Sequence, residues 1–283
     1  MSAGASLGSA NSAQGLLDTK AVDKVWGRSS LPEPFASEAR GKHEDGEPVG
    51  EIWFASPPQL DGILVKYLFT SQKLSVQVHP SDAQAQEGEA GKEECWLILD
   101  AEPGASLAIG FRENLTPEAM RAAALDGSIE NLLEWHEVSA GDFFYLPAGT
   151  VHAIGSGISL LEVQQSSDTT FRLYDYGRPR ELHLDRAMAV AEGRAYDAVH
   201  RCKVSDATSH LVEGPHFQLT RLVGAPDVAV LARYSQPVMV LPLAGHVSLD
   251  GEVVPAGSCG HAADLAAFRF SDDAVAMLVA DAT

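Results

Sequence analysis

The chain has 283 residues, 45% of them hydrophobic and 21% charged, the composition of an ordinary globular protein with room for one large or two modest domains. A formal net charge of −19 with no long Lys/Arg cluster excludes a nucleic-acid or anionic-membrane surface, so an anionic substrate would need a local basic pocket. Cys95, Cys202 and Cys259 are an odd number at unrelated spacings without a CxxC pair, which points to a reducing compartment. No basic, apolar leader opens the chain and no run approaches the roughly 18 apolar residues that cross a bilayer, so the expected location is the cytoplasm.

Residues 1–20 are Ala-, Ser- and Gly-rich at their start and are expected to be a mobile tail, with order beginning near Val22 in KVWGRSSLPEPF. Residues 36–48 are polar enough for a surface loop or flap. GEIWFAS then predicts a strand with Ile52 and Phe54 on one side and Trp53 on the other. Two further strands follow in ILVKYLFTSQKLSVQVHP. In the second, Ser75, Gln77 and His79 share one face by period 2 while Val76 and Val78 take the other. Three polar side chains on one strand face imply water or a site. After a charged loop at 81–91, GKEECWLILD predicts a strand that turns Glu94 and Trp96 one way and Cys95 and Leu97 the other.

Between Thr116 and Trp135 the period becomes helical. Thr116 caps, Pro117 occupies the first helical position, EAMRAAAL propagates and Gly127 stops; a second short helix starts at Ser128 and carries Ile129, Leu132 and Leu133. The chain returns to β structure in GDFFYLPAGTVHAIG, where Gly141, Pro147, Gly149 and His152 fit the spacing GxxxxxPxGxxH. Pro147 and Gly149 would set a tight turn that returns His152 to the sheet with its imidazole inward. The spacing resembles the second signature of the cupin barrel; a lone histidine would otherwise read as a satisfied core residue.

Strands at ISLLEVQQSSD and TTFRLYDYG and a helix near Asp185 to Glu192, ended by Gly193, complete this half. The remainder predicts strands at HFQLTRLV, AVLARY, PVMVLPLAG, HVSLDG and MLVA. EVVPAGSCGHAAD aligns with HEVSAGDFFYLPAG but no PxGxxH follows, so His246 and His261 read as surface or structural residues. The expected fold is all-β with a few helices: a catalytic cupin domain at 21–195 with a helical excursion at 116–135, and a degenerate, metal-free cupin-like jelly-roll barrel at 196–283.

Gln77, His79, Glu94 and His152 could converge on one ion. Two imidazoles, a carboxylate and an amide oxygen suit a divalent ion such as zinc and leave coordination open for substrate. Against that, Glu94 could be a surface carboxylate paired with Lys92. Cations gather around the set: Lys66 in the apolar run ILVKYLF, Lys92 on the face of Glu94, and Arg172, Arg178 and Arg180 after the Glu162 strand. A buried lysine needs a charged partner, and a sugar phosphate would be one. For Arg178 and Arg180, solvation of a rim is an equal reading.

From about Val25 to His183 the chain resembles the type I mannose-6-phosphate isomerases, especially their short bacterial members. The resemblance rests on VWG at Trp26, GEIW at Gly50 to Trp53, LSVQVHPSD, GKEECW, LPAGTVHAIG and LLEVQQSSDTTFRLYDYGRPRELH, and on the order of these blocks. It implies one zinc ion per chain, with other divalent ions open, and interconversion of mannose 6-phosphate and fructose 6-phosphate. It also places the family's metal positions on Gln77, His79, Glu94 and His152, its active-site arginine on Arg172, its pocket lysines on Lys66 and Lys92, and a pocket-lining position on Ser75.

Such a reaction moves a proton between C1 and C2 through an enediolate and needs a base near neutral pH. Glu162 and Lys92 are the candidates, Arg172 would hold the enediolate charge or the phosphate, and Lys66, Arg178 or Arg180 would bind the phosphate. The rival readings are a metal-cupin oxygenase and a non-catalytic cupin that binds sugar phosphate. The expected partner is a small sugar phosphate, with no nucleic acid or membrane, and the chain is a monomer or a homodimer.

Overall fold

The computed structural model describes residues 14–36 and 48–282. Most of the loop or flap expected at 36–48, and the first thirteen residues of the expected tail, lie outside the described residues. None of the described helices is long and apolar enough to cross a membrane. The chain divides into two compact units: Ala21–Trp53 with Gly62–Ser205, and Asp206–Thr283 with Phe54–Asp61 and the described part of Met1–Lys20.

The larger unit is a sandwich of two open antiparallel sheets. One has seven strands in the order Arg201–Lys203, Asp142–Leu146, Glu94–Ala101, Ile158–Gln165, Ile63–Phe69, Val49–Phe54 and Thr19–Arg28. The other has five, in the order Phe171–Tyr174, Val76–Val78, His152–Ile154, Ser106–Phe111 and Leu133–Glu137. Both sheets contribute to a core that includes Trp26, Leu68, Trp96, Leu107, Phe144, Ile154 and Leu160. Burial of that inner face is the main force joining the sheets, at about 25 cal/mol per Å2 of apolar surface. In place of the expected closed barrel, the described residues form two stacked sheets without continuous hydrogen-bond closure.

The helical excursion covers the outer face of the five-stranded sheet. Pro117–Asp126 is capped by Thr116, whose hydroxyl accepts from the Ala119 N–H at 3.2 Å, and it stops at Gly127 in the left-handed conformation. Ile129–Leu132 follows, and Leu133 already opens the next strand. Met120, Ala123, Ala124 and Ile129 pack on Val76, Val78, Ala153, Phe171 and Leu173. This explains the alternation in SVQV: the valines face the helices and the polar residues face inward. The last α-helix of the unit runs over Leu184–Val190, starting one residue before and ending two before the expected Asp185–Glu192. Gly193 is therefore not its stop; a Cβ there would lie 2.2 Å from the Leu115 carbonyl, so glycine serves a close approach.

In the smaller unit, sheets of six and three strands share one core that includes Leu222, Val238, Val240, Val247, Leu249, Phe268 and Leu278. Both sheets are open, where the sequence suggested a second barrel. Residues of the expected tail are ordered here: Gly15–Leu16 pairs with the strand Gly260–Ala262. AVLARY, expected as a strand, is the helix Val228–Arg233. The Asp227 carboxylate accepts from the Val230 N–H at 2.8 Å, and Ala, Leu and Arg propagate what that cap starts. His261 is a structural residue, its Nδ1 3.0 Å from the Gly15 carbonyl.

Candidate active site

Sheet register brings the distant sequence blocks together. In the five-stranded sheet His152 and Arg172 are both cross-strand partners of Gln77, so the three stand side by side on adjacent strands. In the seven-stranded sheet Glu162 pairs with Lys66 on one side and Trp96 on the other, and Glu94 pairs with Gln164. Between these rows lies a cavity of about 290 Å3, lined among others by Lys66, Ser75, Gln77, Lys92, Glu94, Glu162, Arg172 and Arg180. The turn that carries His152 is fixed by glycine. Gly149 sits at φ 82°, its N–H donates to the His79 carbonyl at 2.9 Å, and a Cβ would lie 2.9 Å from the Val190 carbonyl oxygen.

His79, Glu94 and His152 present donor atoms within 4.8 Å of one another, and all three are buried. His79 Nε2 lies 3.6 Å from Glu94 Oε2, and His152 Nε2 lies 3.3 Å from Glu94 Oε1. The Nδ1 atoms face backbone carbonyls, of Thr169 for His79 and Thr150 for His152, each at 2.9 Å. Such outer contacts place the proton on Nδ1 and aim the Nε2 lone pair at the shared space. Burial, reinforced by Lys92, holds His79 well below the ordinary histidine range, and burial holds His152 below it against the pull of Glu94. Burial works against the Glu94 charge, yet Lys92 and the two histidines hold its carboxyl well below the usual range. Two neutral imidazoles and an ionised carboxylate fit a divalent ion, and Glu94 Oε1 is buried without a hydrogen-bond partner among the described residues.

Gln77 adjoins this set through its amide nitrogen, 3.2 Å from His152 Nε2, while its oxygen accepts from Ser75 Oγ at 3.4 Å. To ligate an ion it would turn its oxygen inward, which exchanges the two ends of the amide.

Beside the donor set runs an alternating row of charges. Lys92 Nζ contacts Glu94 Oε2 and lies 3.4 Å from Glu162 Oε1 and 3.1 Å from His79 Nε2. Lys66 Nζ stands 3.2 Å from the same Glu162 oxygen and 3.7 Å from Glu51 Oε2. Glu51 also accepts from the Trp53 indole and pairs with Lys24 at 3.2 Å. Lys66, Lys92, Glu94 and Glu162 are each less than 8% exposed, which rules out the surface-pair reading of Glu94. Burial pushes Glu162 up to about 7, opposed by Lys66 and aided by Glu94. For Lys66 burial is outweighed by Glu162 and Glu51, which hold it above the usual lysine range.

The three arginines part company. Arg172 lines the cavity; its Nη1 donates to the Glu181 carbonyl at 2.6 Å and its Nε is buried without a partner among the described residues. Arg180 also lines it, but both oxygens of buried Asp175 hold its guanidinium at 2.5 and 2.7 Å. Arg178 does not line it. That guanidinium pairs with Asp175 at 2.8 Å, donates to the Lys73 carbonyl at 2.8 Å and stacks over Tyr176. Sequence reading passed over Glu51 and Lys24. Period 2 in GEIWF puts Glu51 on the Trp53 face, opposite Ile52 and Phe54, and that signal was available.

No protein-family model matches the chain. It is 36% identical over 237 residues to the mannose-6-phosphate isomerase ManA of Bacillus subtilis, covering 70% of this chain and 75% of that one. It is 39% identical over 230 residues to the mannose-6-phosphate isomerase of Streptococcus mutans, covering 76% and 69%. Among solved structures, the mannose 6-phosphate isomerase of Bacillus subtilis superposes with a TM-score of 0.75 over 95% of this chain and 100% of that one, at 24% identity. A variant of the phosphomannose isomerase of Salmonella typhimurium gives 0.70 over 96% and 100%, at 14% identity. The structural matches carry the cupin fold and the sequence matches carry the kinship: the chain belongs to the type I mannose-6-phosphate isomerases.

Proposed function

We propose that the cavity interconverts mannose 6-phosphate and fructose 6-phosphate, with His79, Glu94, His152 and a turned Gln77 holding one divalent ion, zinc in the native protein. The carrying observation is the buried His/Glu/His donor set, whose Glu94 lines the same cavity as Gln77, Glu162 and Arg172. When bound, the ion supplies Lewis acidity for a carbonyl and its neighbouring hydroxyl. The other steps belong to side chains of this chain. Glu162, raised to about 7, is the base that takes the C2 proton of the aldose and returns it at C1. Lys92, in contact with both Glu162 and Glu94, holds the base in place and balances charge as the proton moves.

Arg172, with an unsatisfied buried Nε, faces the enediolate or the phosphate, and Ser75 adds a hydroxyl to the wall. Lys66 keeps Glu162 oriented. Arg180 serves as a rim cation, while Arg178 acts through Asp175 and the Tyr176 loop. Three free cysteines, two of them buried, fit a cytoplasmic setting.

Replacing Arg172 by Ala should lower kcat severely while the protein keeps its bound metal. A normal kcat in that variant removes Arg172 from the chemistry.

A further inference from the structure

Resting on that reading of the site, we infer that Lys24 is a phosphate-binding residue of the cavity, the cation that meets the 6-phosphate at the end of the charge row farthest from the metal donors. Lys24 lies on Thr19–Arg28, the outermost strand of the seven-stranded sheet, and lines the cavity. The row steps from Glu94 through Lys92, Glu162, Lys66 and Glu51 to Lys24, in contacts of 3.7 Å or less. A hexose held by its C1 and C2 oxygens at the metal donors points C6, and so its phosphate, away from them. The far end of the row is where that group arrives.

Apart from Arg172, whose guanidinium is held by the Glu181 backbone carbonyl and is already assigned to the enediolate or the phosphate, Lys24 is the cavity cation whose release costs the protein least. Among the described cations that line the cavity, Lys92 is held by Glu94 and Glu162, Lys66 by Glu51 and Glu162, and Arg180 by both oxygens of Asp175. Drawing any of these away would leave a buried carboxylate short of charge. Among the described residues the Lys24 ammonium pairs only with Glu51, and Glu51 keeps Lys66 and the Trp53 N–H if Lys24 moves. Its side chain is 32% exposed against 7% for Glu51, so it already reaches solvent while lining the cavity.

The backbone is built to lay this side chain there. A Cβ at Gly50 would lie 2.5 Å from both Cβ and Cγ of Lys24 and 2.9 Å from the Trp26 ring, so the glycine of GEIW gives the lysine stem its track. The Lys24 N–H donates to the Pro48 carbonyl at 2.9 Å, which fixes the root of the side chain.

The test is calorimetric binding of mannose 6-phosphate and of unphosphorylated mannose to metal-loaded protein, wild type and Lys24→Met, with inorganic phosphate as a competing ligand. Methionine keeps the stem over Gly50 and removes the charge; Lys24→Gln is the second variant if it folds poorly. Affinity for mannose 6-phosphate and for inorganic phosphate should fall about ten- to a hundredfold, the range of a charge-assisted hydrogen bond. Affinity for mannose should hold, and Lys24→Arg should recover most of the loss. Unchanged phosphate affinity, or an equal loss for mannose, overturns the assignment. Wild-type protein that binds mannose 6-phosphate without turning it over would instead count against the isomerase reading and leave Lys24 to be judged by binding alone.

Discussion

Glu162→Gln separates charge from shape at the proposed base. The carboxylate is 2% exposed and lies 3.2 Å from Lys66 Nζ and 3.4 Å from Lys92 Nζ. Glutamine keeps the volume and one acceptor oxygen but cannot take the substrate proton. Each lysine retains a second carboxylate, Glu51 for Lys66 and Glu94 for Lys92. The stability loss should therefore stay below the ~3–5 kcal/mol of an orphaned buried charge, at about 1–2 kcal/mol. Loss of a general base lowers kcat by roughly 10²- to 10⁴-fold, or about 3–5 kcal/mol of barrier at 1.36 kcal/mol per decade. A coupled assay for fructose 6-phosphate gives kcat, and elemental analysis of the same sample gives metal content. A variant that is folded and metal-replete yet within about threefold of wild-type kcat, under 1 kcal/mol of barrier, would refute the assignment and pass the role to Lys92.

The pH profile follows from the same residue. Glu162 must be ionised to accept a proton, and burial with Glu94 and Glu51 raises its pKa to about 7 against the opposing Lys66 and Lys92. kcat/KM should therefore climb as pH rises through about 7, and a profile flat between pH 5.5 and 8, on the order of one unit to either side, would contradict it. His152→Ala removes one of three buried donors and should empty the ion site in elemental analysis; stoichiometric metal in that variant would sink the ligand set. Gly50→Ala drives a methyl to 2.5 Å from the Lys24 stem, so denaturant unfolding should show a loss of about 1–3 kcal/mol, and a neutral result would mean the stem is free to move.

Much of the site was legible because strand periodicity fixes sides. Once SVQV is a strand, Gln77 must oppose Val76 and Val78, and the helices packed on those valines leave the glutamine facing the cavity. The GxxxxxPxGxxH spacing likewise placed His152, since Gly149 takes the positive φ that turns the chain back and His152 then pairs with Gln77. Partner choice across the sheet was less legible. FRLYDYGRPREL shows three arginines but not that a buried Asp175 captures two of them, because an ion pair depends on where a loop folds back. AVLARY went to a helix because one capping carboxylate outweighed a short apolar run with no clear period. Lys24 escaped notice because it sits on an edge strand whose neighbour only the register reveals, whereas for Glu51 the period-2 signal in GEIWF was there to be read.

The most direct test of the account is the formation of fructose 6-phosphate from mannose 6-phosphate by protein stripped with chelator and then given zinc, manganese, cobalt or iron. Turnover should vanish on stripping and return with a divalent ion bound by His79, Glu94 and His152. Full activity in the stripped protein would contradict the metal's role, and a folded, reloaded protein that turns over nothing would contradict the isomerase reading.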